Sequence, residues 1–202
     1  MNNKNSGGKT LLMSVVMSSP GPLVVGLGLL SGRSSTQIAD FVRRSSELLG
    51  IIMAYIVYKI TSKDSYDAER KERLEKMSNI FVGATMCIGG IIMFVLSFFS
   101  ETEEKGNVIP GLVIAVLGVI ANTAFWIKYT RLNREQPNAI IEVQARLYRA
   151  KSLVDACVTL ALLSVAIAPA SPVSFYFDMI GSAIVALYLL YTGAKTVYER
   201  VK

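Results

Sequence analysis

Hydrophobic residues gather in six long stretches along the chain, separated by short polar breaks. The stretches cover residues 11–30, 37–60, 77–99, 108–127, 139–168 and 173–198. A helix needs about 20 mostly apolar residues to cross a bilayer, so each stretch is long enough to do so. Turn-forming sequences such as Gln136-Pro137-Asn138 occupy the breaks. The pattern predicts an all-α polytopic membrane protein with six transmembrane helices.

The first stretch contains the sequence Pro20-Gly21-Pro22. Proline has no backbone N–H and its ring clashes with the preceding helical turn, so this sequence predicts a kink or a local break in the helix. A membrane helix tolerates such a break only where neighbouring helices satisfy the freed backbone groups.

Basic residues alternate from break to break in the way that the positive-inside rule describes. The second and fourth breaks and the two termini hold nearly all of the basic residues outside the spans, whereas the other breaks hold only Arg33 and Lys105. This distribution predicts that both termini are cytoplasmic. The expected organisation is a cytoplasmic N-terminal segment (1–10), a six-helix transmembrane domain (11–198) and a short cytoplasmic tail (199–202), in the plasma membrane.

Composition supports this interpretation. The chain of 202 residues is 52% hydrophobic and 18% charged, against about 25% charged residues in a typical soluble domain. A soluble helical bundle is disfavoured, because six separate stretches of this length would be unusual in one soluble domain of this size. The net charge is +6, but the basic residues lie between apolar stretches, so no nucleic-acid partner is expected.

The chain contains no histidine, which removes most catalytic arrangements. Without histidine there is no Ser-His or Cys-His pair and no His-metal site. The remaining Ser-Lys option is Lys151-Ser152, and adjacent residues on a helix point about 100° apart. Neither an enzyme nor a bound cofactor is expected.

Charged residues within the predicted spans are the informative ones, because each costs about 2.5–3.5 kcal/mol near the bilayer centre unless it is paired or hydrated. Arg43 and Glu47 lie four residues apart on the second span, and Lys151 and Asp155 lie four apart on the fifth. Each pair therefore shares one helix face. If the two helices face each other, two cations and two anions meet, either along a substrate pathway or as a salt-bridge cluster that only holds the helices together.

Other polar residues are secondary candidates. Asp40 and Arg44 are also four apart on the second span. Asp178, near the outer end of the sixth span, is either a ligand or a helix cap. Arg146 and Arg149 lie toward the cytoplasmic end of the fifth span, where long basic side chains reach water.

Several segments together resemble one family of membrane transporters. Gly26-Leu27-Gly28 leads into Ile38-Ala39-Asp40, Asn122 lies on the fourth span, Asp155-Ala156-Cys157 on the fifth and Asp178-Met179-Ile180 on the sixth. In this order, the segments resemble the transmembrane domain of the cation diffusion facilitator family.

The resemblance implies a six-helix domain that dimerises and exchanges a divalent cation for protons. It also implies a four-residue metal site near the midplane, whose positions fall on Arg43, Glu47, Lys151 and Asp155. Only Asp155 keeps the family's residue type. Arginine has no lone pair to offer and lysine ligates only after losing its proton, so no tightly bound metal is expected.

The chain also departs from the family in length, because it ends at Lys202, where members commonly continue into a cytoplasmic domain. A homodimer would then form through the membrane helices. Gly83, Gly89 and Gly90 either permit that close approach or are ordinary membrane-helix composition.

Two functions remain open. The first is a cation transporter of this type, an antiporter of divalent cations and protons with altered or weakened metal selectivity. The second is a non-transporting scaffold or regulatory membrane protein in which the metal site is replaced by a salt-bridge cluster.

Overall fold

The computed structural model describes residues 3–31, 35–62, 67–99, 109–167 and 172–201. Within these ranges the protein is all-α, as predicted, and contains no strand. The helices are α1 (Asn3–Ser18), α2 (Pro20–Ser31), α3 (Ser35–Thr61), α4 (Ala68–Phe99), α5 (Ile109–Glu135), α6 (Ala139–Ile167) and α7 (Pro172–Val201). Together α1 and α2 correspond to the first predicted span, and α3 to α7 correspond to the other five in order.

The predicted break at Pro20 is present. Helix α1 ends at Ser18 and α2 begins at Pro20. Ser19 closes the end of α1 because its backbone N–H and its hydroxyl both donate to the Val15 carbonyl, at 3.0 and 2.6 Å. The missing N–H of Pro20 makes this the natural point for a second helix to start.

Helix α1 begins at Asn3, well before the first apolar stretch. Its polar first half is not a loose extension, since Gly7 and Thr10 are buried. Gly7 lies directly against the ring of Tyr58 on α3, where no side chain would fit. That residues 1–10 are cytoplasmic stays a prediction.

The closest helix packing joins α4 and α7, and small residues make it possible. A methyl group on Gly193 would lie 2.7 Å from the Gly83 carbonyl oxygen, and one on Gly90 would lie 3.0 Å from the Ala186 carbonyl oxygen. Gly83 and Gly90 therefore serve packing within one chain rather than a dimer contact. Gly89 faces the Arg43 side chain on α3, and a methyl group on Gly89 would lie 3.5 Å from Arg43 Cγ. Gly83 and Gly90 thus permit a close helix approach inside the chain, and a homodimer through the membrane helices stays a prediction.

The core is formed where α1, α3, α4, α5, α6 and α7 meet. Its fully buried members include Leu11, Ile51, Val82, Ile140 and Leu147. Large apolar side chains also cover the outward faces of the helices, among them Leu23 at 65% and Ile167 at 76% exposure. Soluble proteins rarely expose extensive apolar patches, so these outward faces suit a hydrocarbon surrounding.

By length and apolar composition alone, one helix in the described part of the chain, Ala68–Val95, qualifies as able to cross a membrane. Helices α3 and α6 are less apolar because each carries five charged residues. Five of them, Arg43, Arg44, Glu47, Lys151 and Asp155, line the site described next.

Candidate functional site

A cavity of about 390 Å³ lies among the α1–α2 junction, α3, α5 and α6. The break at Pro20 shapes one wall, because Gly21 and Pro22 line the cavity at the start of α2. Among the described residues, seven with polar side chains line the cavity: Ser18, Arg43, Arg44, Glu47, Asn122, Lys151 and Asp155. All four of the predicted main site residues therefore meet around one space.

Glu47 is held between two cations. Its carboxylate lies 3.6 Å from Arg43 Nη1 on the same helix and 3.4 Å from Lys151 Nζ on α6. The three side chains are between 8% and 16% exposed, so water screens these ion pairs weakly. Glu47 thus ties α3 to α6 and is already neutralised within the protein.

Asp155 behaves differently from what the four-residue spacing to Lys151 suggests. Among the described residues it forms no ion pair; instead its Oδ2 accepts a hydrogen bond of 2.6 Å from Asn122 Nδ2 on α5. The carboxylate turns toward α5 because Gly118 leaves room there, and a methyl group on Gly118 would lie 2.6 Å from Oδ2. Asp155 therefore joins the cluster around the cavity through an amide contact with α5 and not through an ion pair with a described residue.

The secondary candidates divide into two groups. Asn122 and Arg44 both line the cavity, and the Arg44 guanidinium also passes 3.6 Å from the position of a methyl group on Gly21. The side chains of Asp40 and Asp178 lie outside the described residues.

Comparison with known protein families identifies the family to which this domain belongs. The family model for the cation efflux transmembrane domain matches residues 11–202. The chain belongs to the cation efflux family. The resemblance to cation diffusion facilitators is thereby confirmed. No curated protein matches the chain.

Membership of the cation efflux family makes this protein an integral membrane protein, with the bilayer as its surroundings and cation transport as its class of function. Members of this family are transporters and not enzymes. The charged cavity therefore lies within a cation-transport domain.

The donor set of this cation efflux protein is poor in metal ligands. Within the described ranges, no group of three or more His, Cys, Asp or Glu side chains is placed to hold a metal ion. The thiols of Cys87 and Cys157 are free, and Cys87 packs against α7, 2.8 Å from the position of a methyl group on Gly193.

A layer of aromatic side chains packs next to Lys151, on the side of the α5–α6 turn. Lys151 Nζ lies 5.3 Å from the centre of the Tyr148 ring. Tyr148 in turn packs against Phe125 and Tyr129, with ring centres 5.0 and 5.4 Å apart. The hydroxyls of Tyr129 and Tyr148 share hydrogen bonds of 2.8 and 3.1 Å with two serines of α1. The sequence signal for this layer, Phe125 and Tyr129 four apart on α5, is visible only in retrospect.

A second charged cluster joins the start of α6 to the end of α7. Arg146 donates to both Glu142 and Glu199 at 2.6 Å, and Arg200 lies 3.3 Å from Glu142. The hydrogen bond from Arg146 is the main reason that the pKa of Glu199 is lowered. The sequence predicts only that the Arg146 side chain reaches water, whereas the structure also shows it paired with two carboxylates.

Arg149 makes aromatic contacts as well as reaching the surface. Its guanidinium lies 5.7 Å from the Trp126 ring centre and 5.8 Å from the Tyr188 ring centre. These contacts favour the cation through the ring faces, so Arg149 links α5, α6 and α7 on this side of the protein.

Proposed function

We propose that this cation efflux protein exchanges a cation for a proton through the cavity, with Asp155 as the group that receives each in turn. The observation that carries the proposal is the contrast between the two acids of the cavity. Glu47 is neutralised by Arg43 and Lys151, whereas Asp155 has an amide partner alone among the described residues. Asp155 is the carboxylate with charge left to offer a substrate.

The same contrast supports altered selectivity. Arg43 and Lys151 stand at two positions where the family resemblance places metal ligands. Arginine stays protonated under all protein conditions, and both Arg43 and Lys151 line the cavity beside Glu47 and Asp155. A divalent ion would have to bind next to these two cations, so weakened divalent binding is expected.

For the topology, the proposal places six membrane crossings with both termini in the cytoplasm of a plasma-membrane protein. The skewed distribution of basic residues supports this orientation. A homodimer through the outward apolar helix faces is also proposed, on the family resemblance. Cysteine-accessibility labelling of the termini and cross-linking in the membrane test these two points.

A second candidate is a scaffold that does not transport. The bridge from Glu47 to Lys151 favours this candidate, because it joins α3 to α6 directly at 3.4 Å. A scaffold needs that bridge for stability and has no use for a carboxylate in a cavity. The two candidates therefore differ in what removing the charge of Asp155 does.

The test is cation-driven proton movement in proteoliposomes with an internal pH reporter. The cations cover divalent metals, alkali ions and small organic cations. We expect Asp155→Asn to abolish proton movement with little loss of stability, and Glu135→Gln to leave it unchanged because Glu135 is an exposed surface residue. If the wild-type protein is folded but none of the tested cations causes proton movement, the result contradicts transport and favours the scaffold.

A further inference from the structure

The charges around the cavity restrict the charge of its substrate. Within the described part of the chain, the charges of Arg43, Glu47, Lys151 and Asp155 around the cavity sum to zero. The cost of holding net charge away from water rises with the square of that charge in the Born picture, and it is large for buried ions. A singly charged cation therefore suits the cavity far better than a doubly charged one.

The atoms available to bind that cation suit hydrogen bonding better than metal coordination. Asn122 donates to Asp155 through Nδ2, which leaves its Oδ1 as an acceptor. The Asp155 carboxylate supplies further acceptor positions beside it. Divalent metals demand several oxygen or nitrogen ligands around them, whereas an ammonium or guanidinium group needs a few acceptors for its N–H donors.

The size and walls of the cavity suit an organic body. Small-molecule pockets typically measure about 300–1,000 Å³, and the cavity volume of 390 Å³ falls within this range. Apolar side chains, Ala115, Ala121, Val154 and Val158, line it beside Asp155. A bare metal ion uses none of this apolar surface.

The protein already accommodates one such group at the edge of the cavity. Lys151 is an alkylammonium whose head lies 3.4 Å from the Glu47 carboxylate and 5.3 Å from the centre of the Tyr148 ring. Carboxylate on one side and an aromatic face on the other are typical of ammonium recognition.

From these four observations we infer that the substrate of the cavity is a small organic monocation bearing N–H donors, an alkylammonium or alkylguanidinium ion. Its head group binds Asp155 and the Asn122 carbonyl oxygen, and its alkyl body lies against Ala121 and Val158. The inference rests on the proposed function for transport, but binding is tested separately.

Binding is measured on the purified full chain in detergent, as the rise in melting temperature with added butylammonium chloride. We expect a saturable rise in melting temperature with butylammonium and no rise with butanol, which has no charge. Tetramethylammonium, which has no N–H donor, should bind with an affinity at least tenfold lower. Mn²⁺ and Zn²⁺ are tested in parallel, and Glu135→Gln serves as the matched control for removing a surface carboxylate.

Two variants separate the parts of the site. Asp155→Asn removes the charge that holds the head group, and Ala121→Leu fills the space for the alkyl body while leaving the carboxylate in place. We expect both to weaken butylammonium binding at least tenfold. Ala121→Leu also keeps the test decisive if Asp155→Asn does not fold, because a metal ion bound at Asp155 would tolerate the larger side chain.

Transport is then measured with radiolabelled ethylguanidinium, which stays charged and does not cross the bilayer as a free base. Saturable binding of Mn²⁺ or Zn²⁺ that depends on Asp155, without butylammonium binding, overturns the inference. Equal binding of tetramethylammonium overturns the role of the N–H donors. If alkali or metal ions move protons but organic ions neither bind nor move, exchange stands and this inference fails. If organic ions bind but no cation moves protons, the proposed exchange fails and the binding site stands.

Discussion

Gly118→Ala is the substitution that most directly tests the position of Asp155. The added methyl carbon would lie 2.6 Å from Asp155 Oδ2 and 3.0 Å from its Cγ, where ordinary contacts begin at 3.4 Å. The carboxylate must therefore move by about 0.8 Å, the difference between 3.4 and 2.6 Å. A shift of this size away from Asn122 stretches the 2.6 Å hydrogen bond to about 3.4 Å, longer than the usual N–H···O distance, and a hydrogen bond to a charged group contributes about 1.5–3 kcal/mol.

If Asp155 and the Asn122 carbonyl oxygen bind the cation together, moving the carboxylate costs the cation one charged hydrogen bond, which weakens binding by roughly 10- to 100-fold, since 1.4 kcal/mol is a factor of ten. The assays are butylammonium binding in detergent and cation-driven proton movement in proteoliposomes. Gly8→Ala is the matched control, because its methyl group would lie 3.8 Å from the Tyr58 ring, an ordinary contact. Binding and transport by Gly118→Ala at the wild-type level, with the fold intact, would refute the role given to Asp155.

Three further predictions concern the contacts between helices. Lys151→Met should lower the free energy of unfolding by about 1–3 kcal/mol. In a Glu47→Gln background the same substitution should cost almost nothing, and a double-mutant cycle measured by denaturation checks this difference. Gly193→Ala should cost about 1–3 kcal/mol, because the methyl group meets a carbonyl oxygen of α4 at 2.7 Å; an unchanged melting temperature contradicts that packing. Because Arg146 lowers the pKa of Glu199 below its ordinary 4.5, this pair stabilises the protein above about pH 4.5 and loses its effect as pH falls further. The stability difference between wild type and Glu199→Gln should therefore shrink from pH 7 to pH 4, and a constant difference contradicts it.

The helices were predictable because hydrophobic length and proline act locally. Each apolar stretch in the sequence corresponds to a helix, or to the pair α1 and α2, and the interruption falls at Pro20 because a missing N–H has the same effect in any surroundings. The pairing of α4 with α7 was not predictable. Gly83 and Gly193 are needed because the backbones of α4 and α7 approach each other closely. The position of a glycine in the sequence does not indicate which helix packs against it.

The site was predictable where spacing on one helix decides the contact. Arg43 and Glu47 are four apart and do meet. Asp155 follows the same spacing from Lys151 but turns to Asn122 on the neighbouring helix, because Gly118 opens space on that side. Spacing places two residues on one face, whereas the choice among partners on that face depends on side chains contributed by other helices.

That choice of partner determines what the charges of the cavity can do. Had Lys151 paired with Asp155 and Arg43 with Glu47, all four charges would be neutralised in pairs and the cavity would offer a cation nothing. Instead, one carboxylate takes two cations and the other takes an amide. The formal charge is the same in both arrangements, but only the observed one leaves a carboxylate facing the cavity without an ion pair among the described residues. Under the proposed exchange, a cation-transport domain with Arg43 and Lys151 at two of its ligand positions would therefore keep one position, Asp155, for a cation of single charge.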